Sequence, residues 1–156
     1  MQKEGSEHMR HTALLAILIA LISQGCAMER TVTASADTRP CAANYSSEGT
    51  ILTGKQFKTF EDFPTLSKAT AFDNLIAAFT SGGLQIINSN KESGIISASK
   101  SVIGSRRTFP VNAVVRSNPS GGTRVELIVS LASGMATSAD AVQAEFCKTL
   151  ASIART

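Results

Sequence analysis

The chain has 156 residues, a net charge of +3 and no tryptophan, and 43% of its residues are apolar. So mild a positive excess, without a dense basic run, argues against a nucleic-acid partner. Both histidines, His8 and His11, stand near the start. The rest of the chain has no imidazole, which excludes Ser-His-Asp or Cys-His nucleophilic catalysis and His-ligated zinc.

Met9 to Cys26 is the first informative stretch. Arg10 and His11 precede an apolar run from Ala13 to Ile22, followed by Ser23-Gln24-Gly25-Cys26. The run is too short to span a bilayer, which takes about 20 residues, but it has the length of a signal-peptide core. Glu4 and Glu7 oppose the positive charge that orients such a leader, so the expected start is Met9. Gly25-Cys26 resembles the lipobox of bacterial lipoproteins, although Ser23 stands where that family prefers Leu. The resemblance implies a signal peptide over residues 1–25 and a diacylated Cys26. Residue 27 is Ala and not Asp, which by the same resemblance implies an outer-membrane anchor facing the periplasm.

The remaining cysteines, Cys41 and Cys147, form an even pair in an oxidising compartment, so a disulfide between them is expected. They are too few for a metal motif, and no metal or cofactor is expected. Residues 26–49 are rich in Ser, Thr, Ala and Asn without an apolar period, as in a flexible tether. The folded domain is expected over 50–156, about one core's worth of chain.

Gly54 to Phe60 alternates weakly and predicts a first strand. Phe63-Pro64-Thr65-Leu66-Ser67 predicts a helix start, with Pro64 in or just before the first turn. Phe72, Leu75, Ile76 and Phe79 follow at helical spacing, and Ser81-Gly82-Gly83 ends the helix. Strands are predicted at Leu84–Ile87, Ile95–Lys100, Phe109–Ser117 and Thr123–Ala132. The last of these alternates Val125, Leu127, Val129 and Leu131 with Arg124, Glu126, Ile128 and Ser130. Thr137-Ser138-Ala139-Asp140 fits a capping box for a final helix to about Ala154. Val142, Phe146, Leu150 and Ile153 form its buried face.

The expected fold is therefore α+β, a single antiparallel sheet of four to five strands with two helices on one face, in the order β-α-β-β-β-β-α. This pattern is similar to small domains of the accessory lipoprotein of the outer-membrane β-barrel assembly machine. Taking Asn118 to Gly122 as a five-residue loop pairs Val115 with Val125, Ala113 with Leu127 and Val111 with Val129, all facing inward. Arg116 then faces Arg124 on the outer side beside Val114 and Ile128, and Glu126 is placed to hold both arginines.

No pair of carboxylates has a spacing that argues for catalysis, and no catalytic residue is expected. Lys100, Arg106 and Arg107 cluster around one loop without a nearby acid. Candidate contacts for an anion or an envelope partner are thus Arg106, Arg107, Arg116, Arg124, Val114 and Ile128. The favoured expectation is a lipid-anchored periplasmic binding or adaptor lipoprotein. Its partners would be the membrane, through the anchor, and an envelope protein or the cell wall. The alternatives are a carrier of a small ligand between sheet and helices, an inhibitor or immunity-type lipoprotein, and a histidine-independent enzyme.

Overall fold

The computed structural model describes residues 37–154. The leader, Cys26 and the first part of the tether lie outside the described residues. Three helices and six strands follow in the order α1 (Pro40–Ala43), β1 (Ser46–Thr50), β2 (Gly54–Phe63), α2 (Lys68–Ser81), β3 (Gln85–Asn90), β4 (Ile95–Ser101), β5 (Thr108–Ser117), β6 (Thr123–Leu131) and α3 (Ala139–Ile153). The strands form one open sheet in the order β1-β2-β6-β5-β4-β3, with every neighbouring pair antiparallel.

The α+β class and the single antiparallel sheet agree with the sequence. The counts do not. Among the described residues, six strands stand in place of four to five, and three helices in place of two. The added elements come from the stretch expected to be tether. Ser46-Ser47-Glu48-Gly49-Thr50 has no apolar alternation, so nothing local marks it as a strand. It is held as one by β2, in a ladder from Ser46↔Lys58 to Thr50↔Gly54. Ahead of it, Pro40 opens a single helical turn, where its fixed φ suits the first position. Cys41, Ala42 and Tyr45 are all buried, so residues 41–50 belong to the packed unit.

β5 and β6 pair in the expected register: Val111↔Val129, Ala113↔Leu127, Val115↔Val125 and Arg116↔Arg124. Alternation explains why. The inner set Val111, Ala113, Val115, Val125, Leu127 and Val129 is buried, and a slip of one residue would turn half of it to solvent. Ile96 and Ala98 continue this inner face on β4, and Phe57 and Thr59 continue it on β2.

β2 runs on to Phe63, and α2 starts later than the proline suggests. Ser67 is the N-cap, its hydroxyl accepting from the Thr70 amide at 3.1 Å. Phe72, Leu75 and Phe79 of α2 are buried, and Ile76 packs partly buried against the same core. Ser138 caps α3 in the same way, accepting from the Ala141 amide at 3.3 Å. From α3, Phe146, Leu150 and Ile153 join the core. Cys41 and Cys147 are disulfide-bonded, with Cα atoms 5.3 Å apart, which ties α1 to α3.

Candidate functional site

The sheet has two ends with different character. One end carries the β1–β2 turn, the C-terminus of β4, the start of β5 and the end of β6, because Lys55 pairs with Leu131 and Ser101 with Thr108. At this end the core is not closed. A cavity of about 750 Å³ lies between the inner face of the sheet and the N-terminal half of α3. That volume lies within the range of about 300–1,000 Å³ seen for small-molecule pockets.

Phe109, Val111, Leu127, Val129 and Leu131 line it from the sheet side, and Phe79, Val142 and Phe146 from the helices. These are residues that alternation and helical spacing mark as core. Two loops complete the walls. Ala132 to Ser138 contributes Gly134, Met135, Ala136 and Thr137, and the loop between β4 and β5 contributes Val102, Ile103, Ser105 and Arg107. The β4–β5 loop is folded on itself. The Val102 amide donates to the Arg107 carbonyl at 2.9 Å, and the Arg107 amide donates to the Ser105 hydroxyl at 3.1 Å.

Polar groups on the cavity wall are few. Lys100 points to the inner side beside Phe109, and its ammonium donates to the Gly82 carbonyl at 2.9 Å. Arg107 is the second lining cation, and Glu145 is the lining acid, 3.6 Å from Lys148. Of the cluster Lys100, Arg106 and Arg107, the first and last thus line the cavity, and Arg106 stands beside them on the β4–β5 loop. The sequence placed these cations on one loop but gave no sign of the void beneath. The one available signal was Val102-Ile103, an apolar pair leading into Gly104-Ser105-Arg106-Arg107. Among the described residues no group of three His, Cys, Asp or Glu side chains converges as a metal site.

The other predicted contacts lie elsewhere. Arg116 and Arg124 sit side by side on the outer face toward the opposite end of the sheet, so the structure does not bring them to Arg106 and Arg107. Arg124 is engaged by Asp62 of β2, not by Glu126. Its Nε and Nη2 donate to the two carboxylate oxygens at 2.8 and 2.7 Å. Its guanidinium also lies 4.2 Å over the Phe60 ring. The pairing Asp62↔Arg124 across β2 and β6 explains the preference, since β2 was not placed beside β6 from sequence. Hydrogen bonds from Arg124 first and Asn118 second hold the Asp62 carboxyl down at about 2. Val114 and Ile128 are half-buried on the same outer face, and exposed Ile95 lies opposite Val114.

No family model matches the chain. No curated protein sequence matches it either. Among solved structures, the crystal structure of Ara h 8.0201 aligns with 67% of this chain and 100% of its own, at 8% identity and a TM-score of 0.36. A likeness at that level carries neither fold detail nor function to this protein.

Proposed function

We propose that this protein is an exported, lipid-anchored envelope protein that binds an apolar or amphiphilic small molecule between its sheet and α3. The cavity carries the reading: about 750 Å³ with largely aliphatic and aromatic walls, and Lys100, Arg107 and Glu145 as its charged lining groups. Filling a site of this kind removes apolar ligand surface from water at roughly 25 cal/mol per Å². Lys100 and Arg107 favour a ligand whose polar end is neutral or anionic. The lipid on Cys26, the outer-membrane location and the periplasmic orientation belong to the same proposal and rest on the leader. The Cys41–Cys147 bond is what an oxidising compartment allows. The reading is of a carrier or sensor, and no bond-making chemistry is assigned to it.

The test is displacement of an environment-sensitive apolar probe from the purified mature chain. Val129→Trp fills the cavity from the sheet side and should weaken probe binding at least tenfold while the far-ultraviolet circular dichroism stays unchanged. Equal probe affinity in parent and variant would rule the cavity out as the site.

A second reading keeps the protein as an adaptor for an envelope partner, and one observation favours it. Exposed Ile95, half-buried Val114 and Ile128, and exposed Arg116 share the outer face. With Arg124 already bonded to Asp62, only Arg116 of that pair is offered to a partner. Arg116→Ser with Ile95→Ser should then abolish partner crosslinking in intact cells with little change in thermal stability.

A further inference from the structure

We propose that the cavity end of the protein is a membrane-contacting tip whose partner is an anionic phospholipid surface. The cavity reading supplies the reason for such contact, a ligand exchanged with a bilayer, but the tip itself stands on separate observations.

The first is where exposed aliphatic side chains occur. Ile51 is 50% exposed, Leu52 81% and Ile103 fully exposed. All three are at loop tips at the cavity end, and the other two exposed large aliphatics among the described residues, Ile87 and Ile95, lie on the strands β3 and β4. The β1–β2 turn is fastened to the cavity wall: the Gly134 amide donates to the Ile51 carbonyl at 2.8 Å, and the Ser133 hydroxyl to the Leu52 carbonyl at 2.7 Å. Ile103 lines the cavity directly. Water-exposed aliphatics on separate loops, converging on one apolar opening, are what an interfacial lipid contact uses.

The second is the division of charge. The opposite end carries the carboxylates Glu61, Asp62, Asp73 and Glu92, and of its cations Arg116 alone among the described residues has no bonded partner. Arg124 holds Asp62, Lys91 holds Asp73 at 2.6 Å, and Lys68 donates to the Glu92 carbonyl at 2.6 Å. The cavity end carries Lys55, Lys100, Arg106 and Arg107, and no ion pair among the described residues engages any of the four. Glu48, Asp140 and Glu145 are acids toward this end; Glu48 is bonded to Lys58 at 2.7 Å, and Glu145 faces Lys148. Lys100 is bonded to the Gly82 carbonyl and Lys55 lies over the Phe57 ring, so Arg106 and Arg107, on the same loop as Ile103, are the cations that this end offers to an anionic surface.

The third is reach. The 15 residue steps from Cys26 to Cys41 extend to at most about 50 Å, whereas a domain of this size is about 35 Å across. That length is enough for the tip to meet the membrane that would hold an anchor on Cys26.

Because the chain has no tryptophan, single tryptophans report cleanly. The mature chain carrying Leu52→Trp, Ile103→Trp or, at the far end, Ser120→Trp is reconstituted with vesicles containing phosphatidylglycerol and brominated acyl chains. Both tip tryptophans should shift to the blue and lose at least half of their emission, whereas Ser120→Trp stays unquenched. Vesicles of phosphatidylcholine alone, or Arg106→Glu with Arg107→Glu, should reduce tip quenching at least threefold. No quenching at either tip position, or equal quenching at Ser120→Trp, overturns the proposal. Probe binding to the cavity is measured without vesicles on the same variants. Tip quenching without probe binding sinks only the cavity reading, and probe binding without tip quenching sinks only the tip.

Discussion

Tyr45 donates a 2.9 Å hydrogen bond to the carbonyl of Ala139, the first residue of α3 and 94 positions further along the chain. The ring is buried between Phe57, stacked at 6.2 Å, and Phe146, edge-on at 6.2 Å. Burial first, and the charge of Asp140 second, push the phenol pKa up, so it remains a neutral donor at every physiological pH. The residue before β1 thus fixes the start of the helix that walls the cavity. Tyr45→Phe keeps the packing and removes one bond, and should cost about 0.5–1.5 kcal/mol in urea unfolding. Tyr45→Ala, which also removes the ring, should cost about 3–5 kcal/mol. Equal losses from the two variants would mean that the hydrogen bond, and not the ring, holds α3.

The Cys41–Cys147 bridge closes a loop with a sequence separation of 106. A loop of that size restricts the unfolded chain by about 4.7 kcal/mol in the chain-entropy model, and measured losses run about 2–5 kcal/mol. Cys41→Ala with Cys147→Ala should fall in that range and should loosen α1 first. Hydrogen exchange localises the effect. Protection lost evenly over the sheet, with none concentrated at residues 40–50, would contradict the role given to α1 as a clasp.

Asp62 gives the protein an acid-side stability term. Its folded pKa of about 2 lies below the ordinary 3.8, so the folded state gives up this proton more readily than the unfolded one. The stabilisation is fully present above roughly pH 4 and is lost as the pH falls through about 2. Both partners of the pair are about 40% exposed, so solvent screening limits its contribution to about 0–1 kcal/mol. Asp62→Asn should lower stability at pH 7 by less than about 1 kcal/mol. It should also flatten the decline between pH 4 and pH 2 relative to the parent, as read from thermal melts across that interval.

The β5–β6 turn contains two glycines with different demands. Gly121 and Gly122 both have positive φ, but only Gly122 packs against backbone: a Cβ there would lie 2.2 Å from the Phe63 carbonyl oxygen, while one on Gly121 meets nothing within 4 Å. Gly121→Ala should cost about 1–3 kcal/mol of backbone strain alone. Gly122→Ala adds a clash that forces the β2–α2 connection to move, and should lower the melting temperature distinctly further. Equal melting temperatures would show that the connection yields freely.

Where a segment's burial follows from its own period, the sequence was readable. Val125, Leu127, Val129 and Leu131 gave β6 and, with the turn length, its register against β5. Phe72, Leu75 and Phe79 gave the inner face of α2. Segments held by something distant were not readable. β1 exists because β2 lies beside it, and Asp62 meets Arg124 because β2 crosses from one hairpin to the side of β6. The cavity is hidden for a related reason. Phe109, Val129 and Phe146 have the spacing of core residues whether the layer above them is in contact or a few ångströms away. Composition does not encode that gap.

β2 has no central partner until β6 exists. Residues 55–63 pair with residues 123–131, and Cys41 with Cys147, so the first third of the packed unit closes only against its last third. Folding of such a non-local topology is slow relative to helical bundles of similar size. During synthesis at about 5–20 residues per second, β2 waits roughly 3–14 s for β6 to be made. Through that interval β1–β2 and β3–β4–β5 can pair only as separate hairpins, because β6 alone joins them into one sheet. The long-range pairings that close the finished domain thus also delay its closure until nearly the whole chain has been made.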